Sequence, residues 1–461
     1  MAADVVVIGG GPAGAAAARV LASWNHRVLL LTRPIDRARG LAESLPPSTH
    51  KLLAEVGVLA DVERAGFYRS TGNTAWWASS EPRVERFDGL GYQVFRPDFD
   101  RVLLDSARAA GVDVRDATDV VLRSSDFPVV LDSTGRSGVF SRRFRMSEAT
   151  LRTIALVGVW RRRDAWPIPD PTHTVVETFD DGWAWSVPIS ADVRHAGVML
   201  DPGRCLATLR HQDAIGMTRA VAALLDRAEL QHTFACDASP YRSTRHADGN
   251  VLFVGDAGSF IDPLSSFGVK KALASAWIAA VTANTILTHP DRRDAALEFF
   301  NDWEQRVYVE HARRSREFAR SAYAAHPHPF WASRAAIDVD DRDDAHDVRD
   351  AFERIRSADT IAFAMSDDVR IEPRPVIRGR EIVLEEAFVG RVLLDPAGPR
   401  RPALRFAADV DLVALARIAC RQTRVPDVFE EYCRTGVPAP LPNVMSGLSL
   451  LVAKGILHAR T

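Results

Sequence analysis

Lysine is nearly missing from this chain: Lys51, Lys270, Lys271 and Lys454 are the only four in 461 residues. Cysteine is equally scarce, with Cys205, Cys236, Cys420 and Cys433. Four cysteines in so long a chain make no disulfide framework. None stands in a Cys-x-x-Cys pair, which excludes a cysteine zinc site. No stretch reaches the roughly 18 apolar residues that a membrane span needs. The N-terminus has no basic region and no cleavage site, so its apolar start is not a signal peptide. The net charge of −2 gives no general attraction to nucleic acid or to an anionic membrane. With 47% hydrophobic and 26% charged residues the composition is that of a globular protein. The expectation is a soluble, cytoplasmic protein of several domains, with neither a nucleic-acid nor a membrane partner.

What is present begins at once. Asp4–Ile8 is a β-branched run, Ala13–Ser23 an alanine-rich helix and Val28–Leu31 a buried strand, which together make a β-α-β unit. Pro46–Gly66 and Phe99–Ala110 read as helical, and Val129–Leu131 as a strand. From about residue 151 the texture changes. Thr174–Phe179, Trp183–Pro188 and Ala196–Leu200 are β-rich, and Asp180-Asp181-Gly182 marks a hairpin turn between the first two. Val251–Val254 returns to a buried strand, and Gly268–Leu287 and Glu298–Ala324 to long helices. Residues 337–350 hold seven aspartates and read as a solvated linker or helix face. Beyond residue 370, strand-like Ile382–Glu386 and Arg391–Leu394 precede helical Asp411–Arg421, Asp427–Arg434 and Val444–Ile456.

The first chemical motif is VVVIGGGPAGAAAA, with Gly9, Gly11 and Gly14 in GxGxxG spacing and Pro12 and Ala13 between them. The first glycine permits the tight turn, the second the approach of a pyrophosphate, and the third close helix–strand packing. The helix then aims its free N–H groups and positive dipole end at phosphate. The acidic residue expected at the end of the second strand is replaced by Thr32-Arg33. Threonine can still bond a ribose hydroxyl. Arg33 can lie on the adenine face or meet a 2′-phosphate.

Two later segments favour FAD over a nicotinamide cofactor. LDSTGRSG (Leu131–Gly138) follows a strand. GNVLFVGDAGSFIDPLSSFGVKKALASAW (residues 249–277) brings a strand to Gly255-Asp256, then a loop with Pro263, then a helix opening at Gly268 and Val269. The segment resembles that of flavoproteins with this layout, which implies that the aspartate bonds a sugar or ribityl hydroxyl and that the helix end faces the flavin carbonyl where charge grows on reduction.

These motifs, with AESLPPS (Ala42–Ser48) and FRPDFDRVLL (Phe95–Leu104), occur in the order of the flavin-dependent monooxygenases. The chain resembles the branch that contains the flavin-dependent halogenases and the geranylgeranyl-reductase-like proteins, over residues 1 to about 330. The resemblance implies an α/β fold: a Rossmann-type FAD-binding domain (residues 1–150 and 240–330) interwoven with a β-rich substrate domain (151–239). A linker (331–369) and an α+β, winged-helix-like C-terminal module (370–461) follow. It also implies that Glu43, Ser44 and Arg96 lie by the flavin.

GWAWSVP (Gly182–Pro188) is similar to the WxWxIP signature of halogenases. Trp183 and Trp185 share a strand face and either pack a core or wall a substrate pocket. Two departures oppose halogenation. Residues 52–98, where the family lysine falls, contain no lysine, and Arg69 is the nearest basic substitute. Phe267, expected in the substrate pocket, stands in Ser265-Ser266-Phe267-Gly268, where the resemblance implies a small polar residue that helps hold halide. Lys270 and Lys271 read as helix-face or flavin-side charges. What remains is oxygen insertion, in which an electron-rich ring attacks the distal oxygen of a flavin C4a-hydroperoxide formed with O2. No acid–base residue and no metal site stands out. With no second GxGxxG, either transient NAD(P)H or a separate flavin reductase supplies electrons.

Arg417, Arg421 and Arg424 can share a helix face, too few cations for a phosphate-binding surface. A hydroxylase core with an added docking-type module is similar in outline to the flavoprotein monooxygenases that mature tryptophylquinone cofactors. Those hydroxylate a tryptophan of a partner subunit, as in the gamma subunit of quinohemoprotein amine dehydrogenase. The expected function is therefore hydroxylation of a peptide-bound tryptophan, with the partner docked on the C-terminal module. Hydroxylation of a free aromatic, halogenation, isoprenoid reduction and non-catalytic flavin binding are the alternatives.

Overall fold

The computed structural model describes residues 3–117, 123–203, 209–265, 267–339, 344–390, 404–435 and 437–460. It divides into two units, Met1–Pro290 with Trp303–Val339, and Asp291–Asp302 with Asp340–Thr461. Among the described residues, no helix is long and apolar enough to cross a membrane.

The first unit is built on two sheets. A six-stranded sheet runs in the order Ala247–Asp248, Val251–Phe253, Val129–Asp132, Val5–Ile8, Val28–Thr32, Asp113–Asp116. From Val251–Phe253 onward its neighbours are parallel, as crossover helices require. Helix Pro12–Ser23 packs against helices Arg96–Ala109 and Gly268–Thr288. Ala15, Ala16, Ala17 and Ala18 are fully buried, and their small side chains let those backbones approach.

The second sheet has eight strands, in the order Glu229–Asp237, Ile154–Arg161, Val193–Leu200, Gly182–Pro188, Thr174–Phe179, Tyr68–Trp76, Arg83–Phe95, Ala42–Leu45. The expected hairpin is present, closing at Phe179 opposite Gly182. The fold is thus α/β, with a Rossmann-type region and a β-rich region.

Sequence-based boundaries differ from this arrangement in three places. The large sheet does not start at residue 151, because it takes three strands from residues 42–95. Arg83–Phe95 hides this because its first eight residues are almost wholly exposed, and their apolar members Val84, Phe87 and Leu90 recur every three residues among charges rather than alternating. Pro46–Gly66 is broken into helices His50–Glu55 and Leu59–Arg64 about Gly57. Residues 331–369 are not a bare linker. They finish helix Pro329–Ala335, which buries Phe330 and Trp331, and supply helix Asp344–Ser357 and strand Ala362–Met365.

The second unit is α+β. Helices Leu412–Ala419, Val425–Thr435 and Leu441–Ala453 enclose a core that includes Leu412, Leu415, Tyr432, Leu448 and Leu451. Helix Asp344–Ser357 packs on Leu441–Ala453 with Ala351 and Ile355 buried, an apolar pair at spacing four among charges. Strands Val369–Arg378 and Glu381–Gly390 form a hairpin, and Ala362–Met365 pairs with Leu457–Arg460. The strand-like segment Arg391–Leu394 lies outside the described residues. Helix Leu412–Ala419 ends before Arg421 and Arg424, so the three arginines share no helix face, and Arg417 pairs with Glu386 at 2.9 Å.

Candidate active site

The nucleotide loop forms because its backbone is forced. Strand Val5–Ile8 is paired on both sides, and Gly9 turns out of it at φ +101°, a conformation that side chains resist. Pro12 opens the helix. A Cβ on Gly14 would stand 1.9 Å from the Gly9 carbonyl oxygen, so that glycine sets how closely helix meets strand. A Cβ on Gly11 would meet nothing within 4 Å. Gly11 is also the N-cap, and no side chain caps the helix there, which leaves its first N–H groups free for an anion.

One cavity of about 1450 Å³ joins this loop to the large sheet. That exceeds the roughly 300–1,000 Å³ usual for a single small ligand, leaving room for cofactor and substrate together. Its walls include Gly9, Gly11, Pro12, Ala13, Thr32, Arg33, Glu43, Ser44, Arg96, Trp183, Trp185, Asp256, Pro263, Gly268 and Val269. Nearly every expected site residue is therefore brought to one place from both ends of the first unit. Gly14 lies behind the loop and acts through packing.

Phe267 is the exception. It is absent from the cavity wall, and its ring sits 5.0 Å from His311, with Lys270 and Arg314 over its faces. Its backbone already has helical angles at the N-cap, which turns the side chain toward helix Arg293–Ala325. Ser266, the neighbouring candidate for a halide contact, lies outside the described residues.

The residues present fit FAD. The helix opening at Gly268, like that at Gly11, has no side-chain cap, and both ends border the cavity. Asp256 reaches the cavity with its side chain one-third exposed. Asp132 of the Leu131–Gly138 motif is fully buried. It accepts hydrogen bonds from the N–H groups of Thr134, Phe140 and Ser141 and from the Thr134 hydroxyl, so it shapes the loop that lines the cavity with Ser133–Ser137. Arg96 is bound by Asp100 at 3.0 Å and Glu43 at 3.1 Å. Burial is the largest influence on the Glu43 carboxyl and raises it above the usual range, against the pull of Arg96.

The substrate end is a sheet face. Strand register lines up Cys236, Ala155, Met199 and Trp183 as one cross-strand row, and all four face the cavity. Trp185 and Val176 form the next row, where Gly197 leaves space for the indole: a Cβ there would stand 2.5 Å from the Trp185 ring. Trp183 and Trp185 thus both pack a core cluster and wall the cavity. Alternate positions of the β-rich strands were the signal for Met199 and Ala155, although the facing pairs could not be read without the register. Arg136, missed in the sequence, follows the Asp-Ser-Thr-Gly turn. It is held by Asp237 at 2.7 Å and lies over the Phe260 ring.

No lysine or histidine lines the cavity among the described residues. Arg69 is absent as well, since it stacks 4.2 Å over Tyr92. Cys236 has its thiol pushed up by burial. No cluster of three potential metal ligands exists among the described residues. The arrangement binds phosphate and sugar at one end and a flat apolar group at the other, and it offers no imidazole or amine for proton transfer.

Behind the Asp256 turn, Glu304 is buried and accepts from the Ser275 hydroxyl. Burial pushes its carboxyl up to about 7, against the opposing influences of Lys271 and Ser275. A carboxyl whose folded pKa lies above its unfolded value loses stability as pH rises between the two, here from about 4.5 to about 7. Glu304→Gln removes that loss. The variant is expected to unfold at a higher temperature than the parent at pH 8, by on the order of 2 kcal/mol, with the gap closing toward pH 5. Parallel thermal melts check this, and a constant gap across the range contradicts it.

Comparison with known proteins bears out the fold. Residues 89–369 match the tryptophan halogenase family model, and residues 2–164 an FAD-binding domain. A tryptophan 2-halogenase of Chondromyces crocatus is 25% identical over 370 residues, 72% of this chain and 70% of the relative. Flavin-dependent halogenase armH3 of Armillaria mellea is 26% identical, over 66% of this chain and 72% of the relative. The flavin-dependent halogenase CmlS superposes with TM-score 0.80 at 22% identity, covering 99% of this chain and 96% of that one. The peptidyl tryptophan dihydroxylase QhpG, essential for tryptophylquinone cofactor biogenesis, superposes with TM-score 0.69 at 23% identity, covering 93% and 95%. At those identities the two structures speak to fold alone.

Proposed function

This chain belongs to the tryptophan halogenase family of FAD-dependent enzymes, whose model spans more than half of its 461 residues, and we propose that it inserts oxygen rather than halogen, hydroxylating the indole of a peptide- or protein-bound tryptophan. The observation that carries this reading is the cavity wall: it holds no lysine among the described residues, so no amine is present to carry or direct hypohalous acid.

Reduced FAD, when bound, supplies the activation of O2. The chain's part is placement. The Gly9–Gly11 turn and the free helix N–H groups take the pyrophosphate, and Asp256 takes a sugar hydroxyl. The Cys236–Ala155–Met199–Trp183 row and Trp185 give an aromatic substrate an apolar floor and keep water from it. An indole is electron-rich enough to need no base before it attacks oxygen, which suits a cavity without histidine.

The peptidyl tryptophan dihydroxylase QhpG aligns over 93% of this chain, which supports tryptophan as the substrate; on this reading the second unit is where a protein-bound substrate docks. Electrons come from NAD(P)H or from a separate flavin reductase. Halogenation is the second reading, favoured by the curated relatives at 25–26% identity, which are halogenases.

Mass spectrometry of turnover separates the two. The full chain is supplied with FAD, NADH, a flavin reductase, O2 and bromide, and is offered indoles, phenols and tryptophan-containing peptides. One or two added oxygens on a peptide tryptophan are expected. Bromine on any substrate overturns the oxygen-insertion reading, and full turnover of free aromatics overturns the peptide-bound one.

A further inference from the structure

Helix Gly268–Thr288 carries two adjacent lysines with opposite fates. Lys270 is half-buried and donates to the Ser48 hydroxyl at 3.2 Å. Lys271 has a fully buried side chain. An ammonium in the interior is costly unless its donors and charge are satisfied. The acceptors of its ammonium belong to one short segment. Its Nζ donates to the Gly255 carbonyl at 3.2 Å, to Asp256 Oδ1 at 3.3 Å and to the Ser259 carbonyl. One turn further along the same helix, Ser275 Oγ accepts the Gly255 N–H at 2.7 Å and donates to Glu304. On the outer side, Tyr241 donates to the Asp256 carbonyl.

The Gly255–Ser259 turn is thus gripped by one lysine at three acceptors and by the Ser275–Glu304 pair at its first N–H. The neighbouring face of the same helix, at Gly268, Val269 and Ala272, borders the cavity. A buried charge used only to stabilise a helix need not converge on one turn. This one converges on the turn that presents Asp256 to the cofactor cavity.

We propose that Lys271 is a positioning residue for FAD: from behind the cavity it fixes the Gly255–Ser259 turn so that Asp256, its ion-pair partner, is held ready for the cofactor. The inference rests on FAD binding in this cavity and is independent of whether the product carries oxygen or halogen. Asp256 shares its carboxylate between the ammonium behind it and the cavity in front.

The test is a two-variant comparison on the full chain, reading FAD dissociation by fluorescence titration beside thermal unfolding of the FAD-free protein. Lys271→Met takes the ammonium away from the Gly255 and Ser259 carbonyls and from Asp256, and takes from buried Glu304 the charge that opposes the rise of its carboxyl. It is expected to lower the unfolding temperature and to weaken FAD by about tenfold. Adding Glu304→Gln removes the orphaned charge, so the double variant is expected to regain most of the lost stability while FAD binding stays about tenfold weaker. That split marks positioning. FAD affinity that recovers together with stability, or that never falls, overturns the proposal. Should Lys271→Met fail to fold, the double variant alone still decides it. Product analysis by mass is not involved, so failure here and failure of the oxygen-insertion reading are told apart.

Discussion

Gly11→Val is expected to fold as the parent does and to lose FAD. The Gly11 backbone has φ −73° and ψ −174°, extended values that valine adopts without strain, and a Cβ there touches nothing within 4 Å. The open space is the cavity in front of the helix N-terminus, where a pyrophosphate must come close to the backbone. Branched carbon in that space leaves the FAD-free protein within about 1 kcal/mol of the parent, the scale of an N-cap change. The same carbon displaces the phosphates, and FAD affinity is expected to fall roughly a hundredfold or more. Gly14→Val is the control. Its Cβ would lie 1.9 Å from the Gly9 carbonyl oxygen, so fold and FAD binding fail together. Unfolding temperature measured beside FAD titration distinguishes the two glycines, and equal damage to both properties in Gly11→Val contradicts the assignment of the phosphate cradle.

Arg96→Met is expected to have the largest effect on stability among the cavity charges. Arg96 lies between Glu43 and Asp100 with about a quarter of its side chain exposed, and its guanidinium is held strongly in the charged form by both. Methionine keeps the apolar stem and removes the charge, stranding two carboxylates. Breaking a buried pair from one side costs more than deleting the pair, here about 2–3 kcal/mol after allowance for the exposure. The loss has a definite pH dependence. Without Arg96 the Glu43 carboxyl keeps the burial that raises it and loses the charge that pulls it down, so its folded pKa lies further above the unfolded one. The penalty is present at neutral pH and fades as pH falls toward about 4, where the unfolded carboxyls are protonated too. Thermal melts of parent and variant at pH 7.5 and pH 5 check it, and a deficit that widens at the lower pH refutes the charge-stranding account.

What the sequence could settle was local. The turn at Gly9, the proline-opened helix and the hairpin at Asp180–Gly182 are each dictated within a dozen residues, because a glycine at positive φ, an N1 proline or an Asp-Gly turn acts on its own backbone. The dinucleotide and flavin motifs placed Thr32, Asp256 and Gly268, and the family resemblance Glu43 and Arg96, around one flavin site, and all of them line the cavity. What needed the tertiary structure was every fact that depends on which face a side chain takes. Periodicity assigns Lys271 to a helix but not to an inward phase. That phase is set by the Gly255–Ser259 turn and Glu304 packing against it from distant parts of the chain. Phe267 reads as a pocket residue by its place in the motif, yet the backbone at the helix start turns it onto His311. The substrate floor is a register effect. Cys236, Ala155, Met199 and Trp183 come from four strands, and only the inter-strand hydrogen bonds that fix each neighbour's register put them in one row. The sequence determined that a flavin binds because backbone geometry is local; the structure decided what faces it because cross-strand register and helix phase are not.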